Sequence, residues 1–301
     1  MNSQPLRKQE VAISLNEREF VLKSLADGIR VDGRRPFDTR DLVITCGDGA
    51  MGGHVEVQLG LTRVLAAVSA EAVEPFADRP AEGFFQINVV FSPMASPMFE
   101  PGRLNTDANT EITRMVERAL RDSRAVDTES LCIMSGVRVW NVRVDVHILD
   151  HGGNLVDCSA LAAIASLLSF RKPDVTVTGE GAIVIHSPEE RDPVPLSVNH
   201  IPLCVSFGVF DGGLIVVDPS LKEEVVMTGR ITVTMNPHHE ICGVHKTGGG
   251  SMRASEVTRC THIAALKVEE IHTKMQAALE AAEKRRNPGR SRAPPARAPP
   301  G

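Results

Sequence analysis

The sequence contains no tyrosine and a single tryptophan, Trp140, so that aromatic residues make up only 4% of its 301 residues. Single-stranded nucleic acids are usually held on several exposed aromatic rings, and such a stacking surface is therefore not expected. The six cysteines include no Cys-x-x-Cys pair. This pattern favours free thiols in the cytosol or nucleus over a disulfide framework.

Long apolar runs are also missing. No segment approaches the roughly 20 apolar residues of a membrane-spanning helix, and the first residues, MNSQPLRK, lack the apolar core of a signal peptide. No contact with a membrane is expected.

The net charge of −5 is unevenly distributed. Six of the 33 basic residues follow Glu283, where no acidic residue occurs, and this leaves 27 basic against 38 acidic side chains before that point, a net charge of −11. Because so acidic a body repels a nucleic-acid backbone, any site for RNA must be local.

The first half of the chain alternates between strand and helix patterns. A capping box, Ser14-x-x-Glu17, predicts a helix that ends near Gly28. An amphipathic helix is expected over 106–124, and a buried helix over 157–168. Alternating apolar residues predict strands at 41–46, 54–59, 62–70, 84–91 and 137–149.

A turn-rich link at 187–193 separates the second half, in which a long helix follows the glycines 248–250. The element order βββ-α-β-α, then βββ-α, predicts an α/β fold with mixed sheets and two similar halves around central helices. Strands are predicted at 203–210, 214–217, 225–235 and 241–245. We divide the chain into an N-terminal extension (1–14), a first half (15–190), a second half (191–286) and a basic, proline-rich tail (287–301) expected to be disordered.

A glycine turn, Asp150-His151-Gly152-Gly153-Asn154, joins the predicted strand 137–149 to the buried helix. Backbone N–H groups at such a turn can bind an anion. An enzyme that acts on phosphate usually adds a fixed arginine or lysine there, whereas this turn ends in Gly153 and Asn154. The sequence thus indicates a phosphate-ready turn that lacks a cation.

Arginines line one face of the predicted helix 106–124, opposite its apolar face. Arg114, Arg118 and Arg121 follow the i, i+4, i+7 spacing, and Arg103 precedes the helix. Spacing alone favours a solvated face that pairs with neighbouring carboxylates at 111, 117 and 122. The alternative is that stacked guanidinium groups hold consecutive phosphates of a strand.

Three other groups carry candidate chemistry. Asp218 and Glu224 could bind Mg²⁺ or act in acid–base chemistry, although a turn followed by a charged loop is favoured. The histidines and cysteine of 238–245 are ligand types, but their alternation fits an exposed strand better and no second ligand cluster exists for zinc. Gly248-Gly249-Gly250 matches no established phosphate-loop pattern and is expected to be a turn.

Several motifs together resemble the ribonuclease PH family. Arg30-Val31-Asp32-Gly33-Arg34 resembles its Arg-x-Asp-Gly-Arg signature, and Gly60-Leu61-Thr62-Arg63-Val64 is similar to its Gly-x-Thr-x-Val strand motif. The strand–turn–helix of 142–168 and the Asp218 loop follow in family order, so the resemblance covers about residues 15–280. It implies the ribonuclease PH fold, two related βαβα halves with helices packed between and against sheets.

The resemblance also implies which positions match the family's catalytic centre. In active members the glycine turn ends in Ser-Arg or Thr-Arg, which holds the attacking phosphate, and two aspartates lie six residues apart. The matching positions here are Gly153 and Asn154 in the turn, and Asp218 and Glu224 beyond it. A degenerate site is therefore expected, with no catalytic residue, no cofactor and no metal.

Segments 99–103, 127–132 and 190–196 resemble, more specifically, eukaryotic RNA exosome ring subunits related to the non-catalytic chain of the archaeal exosome. In the archaeal relative this chain supplies arginines to RNA. The resemblance therefore implies that Arg103, Arg114, Arg118 and Arg121 are RNA-path residues.

The implied function is that of a non-catalytic ring subunit. Its implied partners are other ribonuclease PH-like subunits in a hetero-hexameric ring, S1/KH-type cap subunits, RNA and an associated hydrolytic 3′–5′ exoribonuclease. The implied roles are ribosomal RNA maturation, RNA surveillance and decay of AU-rich messenger RNA, in the nucleus, nucleolus and cytoplasm. Two alternatives remain open: an active phosphorolytic exoribonuclease or tRNA nucleotidyltransferase, and a free-standing RNA-binding module.

Overall fold

Alternating apolar residues build the first sheet of the computed structural model, which describes residues 13–49, 51–96, 99, 107–178 and 183–286. The strands lie in the order β1-β2-β3-β6-β4, with β5 against β6. β4 runs parallel to β6, and the other neighbours are antiparallel. Their bounds are β1 Leu42–Cys46, β2 His54–Leu59, β3 Thr62–Val73, β4 Phe84–Phe91, β5 Cys132–Met134 and β6 Arg138–Asp150.

The first half contains three helices. Helix α1 (Leu15–Ala26) begins at the predicted capping box, in which Ser14 and Glu17 bond reciprocally. Helix α2 (Asp107–Glu117) continues as a π turn over Arg118–Asp122, so the arginine helix predicted over 106–124 changes its winding after Glu117. Helix α3 (Leu155–Ser169) is buried along almost its whole length. Helices α2 and α3 pack against this sheet, whereas α1 packs against the second half of the chain.

The second half contains a four-stranded antiparallel sheet in the order β12-β11-β13-β14. Its strands are β11 Leu203–Val209, β12 Ile215–Val217, β13 Gly229–Met235 and β14 Ile241–Gly248, and the long helix α5 covers Ala254–Arg286. Short pairs are formed by β7 (Arg171–Lys172) with β10 (Val194–Pro195), and by β8 (Val175–Val177) with β9 (Ile183–Ile185).

One predicted element is wrong. The strand expected over 225–235 starts only at Gly229, because a short helix, α4 (Leu221–Val226), precedes it. Ser220 and Glu223 form a capping box that starts this helix, and its reciprocal bonds outweigh the strand preference of the two valines that follow. The charged loop expected after Asp218 is therefore helical.

Helix α3 lies between the two sheets, in contact with β2 and β3 on one side and with β11 on the other. This arrangement confirms the predicted α/β fold with helices between sheets and places the N-terminus of α3 where the halves meet. Helix α5 packs against both sheets, through β1, β11 and β13. Among the helices that the structure describes, none combines the length and the apolar character needed to cross a membrane.

Candidate functional site

The glycine turn between β6 and α3 packs directly against the start of α4. Gly153 has φ +96°, and a Cβ at this position would lie 2.4 Å from the backbone nitrogen of Leu221. Only glycine fits such an approach in a left-handed conformation. Asn154, which follows, is also left-handed (φ 53°) and fully buried. The turn is therefore closed over by protein.

The structure brings together all four positions that the sequence assigned to the degenerate centre. The side-chain amide of Asn154 donates to Asp218 Oδ1 (2.8 Å) and to Asp157 Oδ2 (2.8 Å). The backbone N–H of Asn154 donates to Glu224 Oε1 (3.0 Å). A carboxylate from α4 thus occupies the backbone donor that an anion would use at the start of α3.

The turn does have a cation, Arg40, which the sequence analysis missed. Its Nη1 donates to the carbonyl oxygen of Gly152 (3.0 Å) and its Nη2 to that of Gly153 (3.1 Å). The same guanidinium contacts both carboxylate oxygens of Asp218, at 2.7 and 2.9 Å. Arg40 is therefore committed to an internal carboxylate and to backbone carbonyls. It precedes β1 in a segment without a periodic pattern, so no sequence signal placed it here.

The Arg-x-Asp-Gly-Arg motif holds the Asp218 loop in place. Arg30 is buried and forms an ion pair with the equally buried Glu223, with Nε 2.8 Å from Oε1. Its remaining N–H groups donate to the carbonyl oxygens of Val217 (2.7 Å) and Asp218 (2.8 Å). Arg34 adds a contact of 3.1 Å to Asp218 Oδ2. The motif therefore joins the segment before β1 to the second half of the chain.

Burial and these contacts set the ionisation of the centre. Burial by itself would raise the pKa of Asp218, but the bonds and charge of Arg40 outweigh it and hold that pKa below its ordinary value. Burial raises the pKa of Glu224, with the Asn154 N–H and Arg230 opposing it. Burial also raises the pKa of Asp157 to about 7, against hydrogen bonds from Ser206 and Asn154.

The ring of His151 stays neutral at the edge of the turn. Burial first, and the charge of Arg40 second, lower the pKa of His151 to about 4. Its Nδ1 accepts a bond of 3.4 Å from the backbone N–H of Gly153, and its ring stacks on Phe99. Since Thr62 Oγ1 accepts from the N–H of Gly152 (3.3 Å), the N–H groups of residues 152, 153 and 154 all have acceptors within the protein.

The arginines of α2 and the π turn face solvent, as both readings of the sequence required. None of Arg114, Arg118 and Arg121 forms an ion pair with another residue that the structure describes, so the expected pairing with neighbouring carboxylates is not formed. Glu111 pairs instead with Arg230, at 2.9 Å. The predicted RNA-path residue Arg103 lies outside the described residues.

The three exposed arginines lie along three different clefts. Arg114 borders a cleft of about 530 Å³ beside β4. Arg118 borders one of about 180 Å³ between the π turn and β14. Arg121 lies with Arg124 and Arg79 at one of about 840 Å³ near the start of β4.

The remaining candidates do not assemble into a metal site. His238, His239 and Glu240 lie in the turn between β13 and β14, and Cys242 and His245 lie on β14 itself. Within the described residues, no group of three or more histidine, cysteine or acidic side chains could hold a metal ion. The glycines 248–250 link β14 to the segment before α5, as predicted.

The comparisons with known proteins agree on one family. The model of domain 1 of the 3′ exoribonuclease family matches residues 38–173, and that of domain 2 matches residues 200–266. Exosome complex component RRP45A of Arabidopsis thaliana is 46% identical over 278 residues, which cover 91% of this chain and 90% of that protein. Human RRP45 is 44% identical over 282 residues, which cover 93% of this chain and 63% of that protein.

The chain thus spans less than two thirds of the human relative. Solved structures agree on the fold. A chain of the Archaeoglobus fulgidus exosome with RNA bound to the active site superimposes with a TM-score of 0.74 at 31% identity, covering 86% of this chain and 97% of that one. A chain of an archaeal exosome core gives a TM-score of 0.66 at 28% identity, covering 90% of this chain and 96% of that one.

Proposed function

Because this chain belongs to the ribonuclease PH family of 3′ exoribonucleases, we propose that it is a non-catalytic ring subunit of an RNA exosome. It holds and guides RNA and leaves cleavage to a separate nuclease. Its relatives named RRP45 are exosome complex components, and human RRP45 is exosome component nine, the polymyositis/scleroderma autoantigen.

The observation that carries this proposal is the internal neutralisation of the centre. In phosphorolysis, the protein contributes mainly by positioning phosphate and balancing its charge. Here Asn154 supplies no charge, Arg40 is paired with Asp218, and Glu224 takes the N–H at the start of α3. Inorganic phosphate would have to displace a buried carboxylate. Loss of such an electrostatic contact costs on the order of 10²–10³ in rate.

The rival function is that of an active phosphorolytic exoribonuclease or tRNA nucleotidyltransferase. The homogeneous chain, incubated with RNA and inorganic phosphate, is expected to release no nucleoside diphosphates, while an archaeal exosome run in parallel releases them. Release by this chain at a comparable rate would contradict the proposal.

Assembly is tested separately. We expect the tagged chain to co-purify with other ribonuclease PH-like ring subunits, S1/KH-type cap subunits and a hydrolytic 3′–5′ exoribonuclease, identified by mass spectrometry. The proposal includes the domain division after residues 14, 190 and 286. It also includes action in the nucleus, nucleolus and cytoplasm. Recovery of the chain as a lone monomer that binds RNA tightly would favour a free-standing RNA-binding module.

A further inference from the structure

Of the three exposed arginines, Arg118 faces a cleft whose opposite wall belongs to the second half of the chain. The cleft of about 180 Å³ lies between the π turn and strands β13 and β14. Its polar lining includes Thr232, Thr234 and His245, together with the carboxylate of Asp122 on the π turn. Residues of π turns are frequently functional. A cation therefore borders a mainly apolar cleft with a few polar groups, at the junction of the two halves.

A chain of contacts fixes the hydroxyl group next to this cleft. Arg230 Nη2 donates to Glu111 Oε1 at 2.9 Å. The hydroxyl of Thr247 donates to the same carboxylate oxygen at 3.4 Å. A hydroxyl has a single hydrogen, and a carboxylate that is ionised only accepts. We assign the hydrogen of Thr247 to Glu111, because an ionised carboxylate is a stronger acceptor than a neutral imidazole nitrogen.

This contact decides which nitrogen of His245 carries the proton. Nδ1 of His245 lies 3.3 Å from the hydroxyl oxygen of Thr247. With the hydrogen of Thr247 assigned to Glu111, Nδ1 is assigned as the donor of this bond. In a neutral imidazole the other nitrogen is then an acceptor. Nε2 of His245 has no partner among the described residues and is not buried.

The charged groups around His245 keep its ring neutral. Burial lowers the pKa of His245 below its ordinary value, and the charges of Arg118 on the π turn and Arg230 on β13 act in the same direction. Only Glu111 on α2 opposes them. A protonated ring is thus disfavoured, and Nε2 keeps its lone pair at neutral pH.

An unprotonated Nε2 beside a cation selects a specific kind of partner. A phosphate oxygen is itself an acceptor and cannot bond to Nε2, whereas a hydroxyl group donates to it. RNA places such a hydroxyl, the ribose 2′-OH, next to each phosphate, and DNA does not. We propose that His245 accepts a hydrogen bond from a ribose 2′-hydroxyl while Arg118 holds a neighbouring phosphate, so that this cleft distinguishes RNA from DNA.

This inference rests on the proposed role in guiding RNA. It adds the chemical group of RNA that the cleft recognises, the ribose 2′-hydroxyl. His245 is the specificity-determining contact. Thr247, Glu111 and Arg230 are positioning residues that act through it. The positioning contacts come from α2, β13 and β14, which explains why no motif in the sequence indicated them.

The test measures binding of single-stranded poly(A) RNA and of DNA of the same sequence to the assembled ring by fluorescence anisotropy. His245→Leu removes the acceptor and is expected to weaken RNA binding about three- to tenfold, the worth of one neutral hydrogen bond, with DNA binding unchanged. Thr247→Val removes the hydroxyl that keeps the proton of His245 on Nδ1. It is expected to lower the preference for RNA over DNA as well, but by a smaller factor than His245→Leu.

Two controls separate the possible failures. His262→Leu makes the same change at an exposed histidine of α5 and should leave both affinities unchanged. Arg118→Gln should weaken RNA and DNA alike. If Arg118→Gln affects neither, the proposed RNA path is wrong at this residue. If Arg118→Gln weakens both but His245→Leu does not change the ratio of the two affinities, only the assignment of His245 is overturned.

Discussion

At the scale of single residues, the centre is a set of buried charges that satisfy one another. Asp218 is almost fully buried, and it accepts from Arg34, Arg40 and Asn154. A buried carboxylate is stable only when its lone pairs have donors and its charge has a partner. The contacts that exclude phosphate are thus the same contacts that allow Asp218 to be buried.

Around this centre, we expect the largest loss of stability when one partner of the buried pair Arg30–Glu223 is removed. Glu223→Gln keeps the shape and the capping box with Ser220 but leaves the charge of Arg30 unbalanced. We expect the free energy of unfolding, measured in urea, to fall by about 3–5 kcal/mol.

The matched control is Glu283→Gln, which removes the charge from a partner of Arg171 that is 57% exposed. Exposed pairs contribute about 0–1 kcal/mol. Equal losses for the two variants would show that burial of Arg30 does not determine the effect.

Asp157 gives the centre a pH dependence. Its pKa is raised from 3.8 to about 7 in the folded chain, so the folded state holds a proton that the unfolded chain has lost between about pH 4 and pH 7. Its contribution to stability is therefore complete below about pH 4 and is lost as the pH rises to about 7, by at most roughly 4 kcal/mol.

The variant Asp157→Asn cannot titrate and should show a shallower fall of the unfolding free energy over this window. The measurement is urea unfolding of both proteins at about pH 5 and pH 8. Parallel pH profiles for the two proteins would mean that Asp157 is not the titrating group.

The sequence allowed part of this centre to be predicted. Gly153, Asn154, Asp218 and Glu224 were grouped correctly, because their order along the chain follows a family pattern. Arg40 was not, since its role depends on how the segment before β1 folds back over the glycine turn. A contact between residues 40 and 218 belongs to the tertiary structure, and no local pattern encodes it.

At the scale of elements, the predicted bounds agree with the structure where the sequence carries only one kind of secondary-structure signal. Strands β2 and β4 coincide with their predicted ranges. The prediction failed at α4, where Val225 and Val226 indicate a strand and the capping box at Ser220 indicates a helix. The capping box starts the helix, and Arg30, a partner almost two hundred residues away in sequence, also binds the Glu223 side chain that forms this box. The change of α2 into a π turn had no sequence signal.

The junction of α3 and α4 depends on the absence of a side chain at Gly153. Gly153→Ala would bring a Cβ against the backbone of Leu221 in addition to the left-handed strain. Gly136→Ala is the matched control, because Gly136 has a similar φ of +77° and nothing within 4 Å of its added Cβ.

We expect the control to lose about 1–2 kcal/mol of unfolding free energy and Gly153→Ala to lose clearly more, since the opposing atoms are backbone. Thermal and urea unfolding measure both. Similar losses at the two positions would contradict the close packing of the turn on α4.

At the scale of the whole molecule, an acidic body carries a local set of unpaired arginines. Arg114 and Arg118 are exposed and have no ion-pair partner among the described residues, so their charge is available to a nucleic acid. Their position was predicted by helical spacing. The three separate clefts that they and Arg121 border were not, because those clefts are formed by strands distant in sequence.

The double change Arg114→Glu and Arg118→Glu should weaken RNA binding by the assembled ring while assembly persists. For each lost phosphate contact, the slope of log affinity against log salt should fall by about 0.7. The measurements are RNA protection by the ring and a salt titration of its affinity.

Arg18→Glu with Lys23→Glu provides a control, since it makes the same charge change on α1, another exposed helix. If both double variants weaken RNA binding equally, the effect comes from net charge and not from the arginines of α2.

The fully buried Asn154 has a consequence for any attempt to restore a phosphate anchor by mutation. Its amide joins Asp157 to Asp218, so an arginine at position 154 would remove that link and place a further guanidinium beside Arg40. We therefore expect Asn154→Arg alone to destabilise the protein. A phosphate anchor could be introduced here only if Asp157 and Asp218 gained new hydrogen-bond donors at the same time.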